Sequence, residues 1–320
     1  MSTSGISESS IAGLHHVTAI AGDPQRNVDF YSGVLGLRLV KVTVNFDDPG
    51  TYHFYYGDGV GTPGTILTFF PWSGLPSGRL GAGQTQTTAF AVTAESIADW
   101  KQRLQQNGIA IEESDRYGNK VLSFQDHDGL KLELVGSATG KPEAIWANSP
   151  VSADMAIQRF HGVALAEGDP SLSADFLTGK LGFKENGSEN GRRLFLSARN
   201  DGGVVELIKT PSERGRVAVG SVHHIAWRTA GDQEQLGWQE RLRDRGVTDV
   251  LDRQYFRSIY FREPGGVLFE IATDPPGFTK DETPEHLGSA LKLPPWLDRS
   301  RQEVRGLLPE FTSSEGVVFP

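Results

Sequence analysis

Two histidine pairs and one glutamate hold the chemistry that this sequence could do. His15-His16 and His223-His224 each open a predicted strand, and Glu270 lies in the strand-like run VLFEI. Neighbouring residues on a strand face opposite ways, so one histidine of each pair can point into a shared interior. Two neutral imidazoles and a carboxylate on one face of a six-coordinate metal leave three positions open. A substrate oxygen and a molecule of O2 could then bind side by side, and a redox-active metal could pass electron density between them. Zinc could occupy such a site but has no accessible redox change.

Composition narrows the alternatives. The chain has 320 residues, 38% of them apolar, which is enough for two ordinary domains with a sizeable core. It contains no cysteine, so thiolate chemistry, disulfides and cysteine-type zinc sites are excluded, and any metal site must come from carboxylates and the eight histidines. The formal charge is −9 with no basic run, which makes nucleic acid and anionic membrane surfaces poor partners. No stretch approaches the roughly 18 apolar residues of a membrane span. The N-terminal MSTSGISESS lacks the basic segment and apolar run of an export signal. The expected location is cytoplasmic.

The elements that must position these residues repeat. GLHHVTAIAGDPQRNVDFYSGVLGL aligns without a gap to RFHGVALAEGDPSLSADFLTGKLGF, matching His15 with His161, Asp23 with Asp169 and Gly36 with Gly182. Each copy reads as a strand, a turn, a helix capped by Asp with Pro at its first position, and a glycine stop. TTAFAVTAESIADWKQRLQQNG resembles HHIAWRTAGDQEQLGWQERLRDRG, where Trp100 with Leu104, and Trp238 with Leu242, give each helix an apolar stripe before Gly108 and Gly246. FQDHDGLKLEL matches FREPGGVLFEI, pairing Glu133 with Glu270. The spacing predicts βαβββ modules at 12–72, 84–136, 158–210 and 220–273. They form an N-terminal domain, 1–150, and a C-terminal domain, 151–320. The latter carries a tail, 274–320, with one helix around Trp296–Leu307. Gly/Ser/Pro-rich PWSGLPSGRLGAG and GSATGKPEA fall between modules as linkers.

Duplicated βαβββ modules with a strand-borne histidine and a late strand glutamate resemble the vicinal oxygen chelate superfamily over residues 12–273. The resemblance implies an α+β fold: four βαβββ modules forming two curled mixed β-sheet half-barrels with helices outside (vicinal oxygen chelate fold). It also implies that the ligand histidine precedes the capping aspartate by about seven residues, which selects His16, and His224 by superposition of HHVTA on HHIAW. Gly162 then stands at the position of His16 in module three, Thr88 at that of His224 in module two, and Phe69 at that of Glu270 in module one. Modules one and four together therefore make one three-ligand site, and two and three make none. Glyoxalase-type isomerases of the superfamily use four protein ligands, and here Phe69 takes the place of the fourth. Glu133, without a histidine partner, is expected to be solvent-facing or salt-bridged.

GLHHVT, GTPGTILTFFPW, SVHHIAWR and YFRSIYFREPGGVLFEIATDPPGFTKDE are more specifically similar to the hydroquinone-type ring-cleaving dioxygenases. That resemblance implies Fe(2+), with Mn(2+) left open, on His16, His224 and Glu270. It implies His15, Thr18, His223, Arg253 and Tyr260 around a diphenol substrate and O2. Thr18 shares the inward face of His16. The Tyr260 phenol could hydrogen-bond a substrate oxygen. Arg253 either holds a phenolate or makes a surface salt bridge with Asp252 or Asp244. His15 and His223 are either structural or transfer protons, and point away from their neighbours unless the strand is bulged. Phe69 and other apolar walls keep the cavity dry, and the C-terminal helix covers its mouth. Three other readings are a catechol-type extradiol dioxygenase using His161, a glyoxalase-type isomerase or lyase, and a protein that sequesters an aromatic compound. Exposed strand edges are compatible with a homodimer.

Overall fold

The computed structural model describes residues 10–139, 142–198 and 202–320. The N-terminal MSTSGISESS, the stretch read for an export signal, lies almost wholly outside these, as do residues 140–141 of the second linker. Module one supplies β1 (Leu14–Ala21), β2 (Arg38–Asn45), β3 (Asp48–Gly57) and β4 (Ile66–Pro71). Module two supplies β5 (Gln84–Thr93), β6 (Glu112–Arg116), β7 (Asn119–Gln125) and β8 (Lys131–Ala138). Module three supplies β9 (Arg159–Glu167), β10 (Lys184–Glu189), β11 (Arg192–Leu196) and β12 (Val204–Lys209). Module four supplies β13 (Ser221–Thr229), β14 (Leu251–Asp252), β15 (Arg257–Arg262) and β16 (Leu268–Thr273). After the first strand of each module comes a helix: α1 (Pro24–Val28, continued by a π-turn over Asp29–Val34), α2 (Ile97–Gln106), α3 (Pro170–Gly179) and α4 (Asp232–Arg241).

Two eight-stranded mixed sheets result, ordered β14-β15-β16-β13-β1-β4-β3-β2 and β10-β11-β12-β9-β5-β8-β7-β6. Modules one and four build the first and modules two and three the second. Each half of the chain, 1–150 and 151–320, thus contributes strands to both sheets. Antiparallel seams, β1 on β13 and β5 on β9, join the modules.

Local signals explain the elements. Asp23 accepts from the Arg26 N–H at 2.8 Å and Asp169 from the Ser171 N–H at 3.0 Å, capping α1 and α3 ahead of their first-turn prolines. Gly36 and Gly182 leave the helix region with φ of 72° and 76°, a conformation that favours glycine. Alternation sorts the faces of β4: Leu67 and Phe69 join the core beside Tyr31 of the π-turn, while Thr68 and Phe70 face the other way. Trp100, Leu104, Trp238 and Leu242 are all buried.

The tail is fastened to module one. Buried Lys41 pairs with Asp281 at 2.6 Å and with Glu282, and Arg38 donates to the Pro284 and Glu285 carbonyls. Phe278 and Leu287 pack with Tyr55, Tyr255 and Phe256. The expected helix appears as a 3₁₀ turn, Pro295–Ser300, followed by α5 (Arg301–Leu307). Among the described residues no helix is long and apolar enough to cross a membrane.

Candidate metal centre

Strand register brings three side chains together. His16 lies opposite Ala226 across the β1–β13 seam, Thr18 lies opposite His224, and Ala226 is in turn level with Glu270 on β16. His16 Nε2 and His224 Nε2 are 3.3 Å apart, and both approach Glu270 Oε2, at 3.3 and 3.0 Å. All three residues are buried. Glu270 Oε1 accepts from the Ser258 hydroxyl, whereas Oε2 is buried without a hydrogen-bond partner. An orphaned carboxylate oxygen beside two imidazole nitrogens is the arrangement a divalent cation completes, and the N,N,O donor set suits first-row transition metals. Burial alone would raise the Glu270 carboxyl, but the His16 and His224 imidazoles hold it well below the usual carboxylate range. Burial lowers His224, keeping it neutral and able to ligate.

The first histidine of each pair supports the second. Register shifts in the β1–β13 ladder fall at His15 and His223, so each is the extra residue of a β-bulge. The bulges turn both rings back: His15 Nδ1 lies 2.9 Å from His16 Nδ1, and His223 Nδ1 lies 2.8 Å from His224 Nδ1. A histidine ligating through Nε2 carries its proton on Nδ1, so His16 and His224 donate and their neighbours accept. Burial lowers His15 well below 6.5 and His223 to about 3, keeping both neutral as acceptors.

His16 and His224 open into a cavity of about 440 Å³. Phe70, Trp72, Phe256 and Leu268 form apolar walls, and Arg253 and Tyr260 form a polar one. Arg253 Nε donates to Tyr260 Oη at 3.3 Å, and its Nη1 reaches Asp47 at the mouth, also at 3.3 Å. Its carboxylate partner is thus Asp47 rather than Asp252 or Asp244; Asp244 pairs with Lys180. Thr18 Oγ1 bonds Thr68 Oγ1 at 2.8 Å, beneath His53 and Tyr55, which also line the cavity.

The position assigned to Phe69 requires correction. Glu270 is level with Ala226, two residues past His224, and the residue level with Thr18, two residues past His16, is Thr68. Thr68 therefore holds the fourth-ligand position. Phe69 points to the opposite face, packed 4.4 Å from the Tyr31 ring, and does not line the cavity. The tail contributes no lining residue; Trp296 instead rests 5.5 Å from Phe46 at the rim. Sequence reasoning missed His53, Tyr55 and Thr68. Matching YHFYYG to RSIYFR, which sets Tyr55 against Tyr260, is the signal that could have found them.

The second sheet holds a different centre. Glu133 is level with Ala89, and Glu206 with Ala164, as Glu270 is with Ala226. The histidine positions fall to Gly162, as expected, and to Thr87 rather than Thr88. Where an ion would lie, Arg116 donates to Glu133 and reaches Glu206 at 3.0 Å, while Arg192 holds Glu206 at 2.6 Å. Glu133 is salt-bridged and buried. His161 lies in this sheet, bonded to Ser137 at 2.9 Å, and does not join His224 and Glu270.

Comparisons with known proteins show the family. The family model described as "Glyoxalase/Bleomycin resistance protein/Dioxygenase superfamily" matches residues 13–134 and 159–271. "Putative ring-cleaving dioxygenase MhqO" of Bacillus subtilis is 47% identical over 300 residues, which span 93% of this chain and 96% of that protein. The chlorohydroquinone/hydroquinone 1,2-dioxygenase of Sphingobium indicum is 32% identical over 92% of this chain and 95% of its own. A crystal structure described as a "putative dioxygenase from Bacillus subtilis" superposes with a TM-score of 0.90 at 46% identity, covering 94% of this chain and 98% of that one.

Proposed function

The chain belongs to the glyoxalase/bleomycin resistance protein/dioxygenase superfamily, and from that premise we propose that it is an Fe(II)-dependent dioxygenase that opens hydroquinone-type rings with O2. The observation that carries this reading is the ligand count: His16, His224 and Glu270 converge on one point, and the mirrored fourth position is a threonine. A bound redox-active iron would supply a centre on which a diphenol oxygen and O2 bind side by side and exchange electron density.

The protein's own groups do the rest. Ser258 and the bulged His15 and His223 fix the ligand orientations. Accepting from His224 on Nδ1 leaves His223 with an Nε2–H donor on the cavity side, suited to oxygen that is gaining negative charge. Arg253, a permanent cation, holds the Tyr260 phenol and can balance a phenolate. Phe70, Phe256 and Leu268 keep the chamber poor in water, which strengthens each of these contacts. Both atoms of O2 are incorporated into the ring-opened acid. The acidic, cysteine-free chain suits a reducing cytoplasm.

The test is anaerobic reconstitution with Fe(II), then oxygen uptake with hydroquinone and with catechol, using labelled O2 to follow both atoms. The expected result is uptake that is lost in His224→Ala together with the metal. Uptake that survives in that variant removes the site. The isomerase reading predicts turnover with zinc or nickel and no oxygen consumption; it needs a fourth ligand that Thr68 does not resemble.

A further inference from the structure

The module-one wall of the cavity repeats the module-four wall with different chemistry. Tyr55 lies opposite Thr68 as Tyr260 lies opposite Glu270. Two residues earlier on the same faces stand His53 and Ser258. Ser258 orients a ligand carboxylate, but His53 Nε2 lies 2.9 Å from Thr68 Oγ1 and its Nδ1 lies 2.9 Å from Tyr55 Oη. The His53 ring sits between those of Tyr55 at 4.0 Å and Phe70 at 4.3 Å.

A 1,4-diphenol cannot put both oxygens on one ion. Its second hydroxyl stays protonated unless the protein removes that proton, and the ring yields electron density more readily once it is gone. Most polar groups facing the cavity are unsuited to the task. Arg253 is a cation, and His223 presents an N–H. Asp47 and Asp48 at the mouth are engaged by Arg253 and by the Trp72 indole. Tyr55 is the phenol with a neutral base behind it.

On the dioxygenase reading above, we propose that Tyr55 contacts the diphenol hydroxyl that does not ligate the metal, and that His53, acting through Tyr55, accepts its proton. The substrate O–H gives its proton to Tyr55 Oη as the Tyr55 proton passes to His53 Nδ1. One O–H bond breaks on the substrate and one N–H bond forms on His53, leaving a phenolate and an imidazolium whose Nε2–H donates to Thr68 Oγ1. Burial lowers His53, so it is neutral at rest with Nδ1 free to accept, and it holds the proton only while the ring gives up electron density. Tyr55 is the catalytic contact and His53 the positioning residue behind it.

The test uses iron-loaded protein with hydroquinone and catechol. His53→Gln keeps a hydrogen-bond acceptor but no base, so kcat on hydroquinone falls about 100-fold with KM nearly unchanged. Tyr55→Phe lowers kcat and raises KM. On catechol, both of whose oxygens can reach the ion, the losses are at least about tenfold smaller. Metal content stays at the wild-type level in both variants. Solvent deuterium slows kcat on hydroquinone in wild type and leaves that of His53→Gln unchanged, because the relayed proton no longer moves. Equal losses on both diphenols, or none, overturn the proposal while the dioxygenase reading stands. A wild type that cleaves neither diphenol sinks that reading and this proposal with it.

Discussion

Removing Arg116 tests the claim that the second sheet replaces a metal ion with a guanidinium. Glu133 and Glu206 are 4% and 5% exposed, and Arg116 touches both. Arg116→Met keeps the stem volume and removes the charge. Arg192 still holds Glu206, so one carboxylate, Glu133, is left buried and uncompensated. Breaking such a pair costs about 3–5 kcal/mol. The stranded group can escape by taking a proton, and that limits the loss. From an ordinary value of 4.5, at about 1.36 kcal/mol per pH unit, protonation costs about 3.4 kcal/mol at pH 7 and about 1.4 at pH 5.5. Burial already raises Glu206 despite both guanidiniums, so the site leans toward the neutral form. Urea denaturation should therefore show a loss near 3 kcal/mol at pH 7 that shrinks by about half at pH 5.5, and Arg116→Met/Glu133→Gln should recover most of it. A loss independent of pH, or no loss, would refute the reasoning.

Ser258→Ala frees Glu270 Oε1 and should weaken iron binding about 10–100-fold in chelator competition; unchanged affinity would mean the hydroxyl does not orient the ligand. Glu167 is pushed up to about 8 by burial and by Glu263, so its contribution is full below about 4.5 and is lost as pH rises through 8. Glu167→Gln should remove that decline, leaving the variant more stable than wild type at pH 8.5 in thermal melts, with the gap closing toward pH 5. Phe69→Ala should cost about 3–5 kcal/mol of stability in denaturant while leaving iron affinity intact, because the ring fills the core and not the cavity.

The repeats made most of the architecture legible because the modules carry their own punctuation: Asp-Pro before the helix and Leu-Gly after it in modules one and three, and Gly108 and Gly246 after the helices of modules two and four. His16, His224 and Glu270 were legible because repeat position set His16 apart from His161, which aligns with His15, and because Glu133, at the repeat position of Glu270, has no histidine partner. Phe69 was misplaced by a single residue. The turn after Pro264 holds one residue more than the turn after Pro63, so Ile66 and Leu268, not Ile66 and Val267, are equivalent on their strands. A gapless match of TPGT to EPGG hides that insertion, and a one-residue slip moves every side chain to the other face. A separate one-residue slip, in the gapless match of TTAFAV to HHIAWR, set Thr88 in place of Thr87. His15 and His223 could not be oriented by alternation because β-bulges suspend it at those two residues. His53 left no trace within its own segment: a lone histidine in TYHFYYG gains meaning only once that segment is set against RSIYFR of module four.

The two sheets show how one strand position decides what a cup can do. The second sheet has carboxylates at both equivalent positions, Glu133 and Glu206, and a guanidinium spans them with no vacancy for a ligand. The first sheet keeps one carboxylate and places a neutral hydroxyl, Thr68, at the other. A divalent ion held by two imidazoles and one carboxylate retains a net positive charge and open positions, so it favours an anionic oxygen such as a phenolate over water. A second carboxylate at position 68 would cancel that charge and fill one of those positions. The threonine therefore both opens the centre and sets the sign of what it attracts, and the hydrogen bonds Thr68 makes to Thr18 and His53 keep its own oxygen from competing as a ligand.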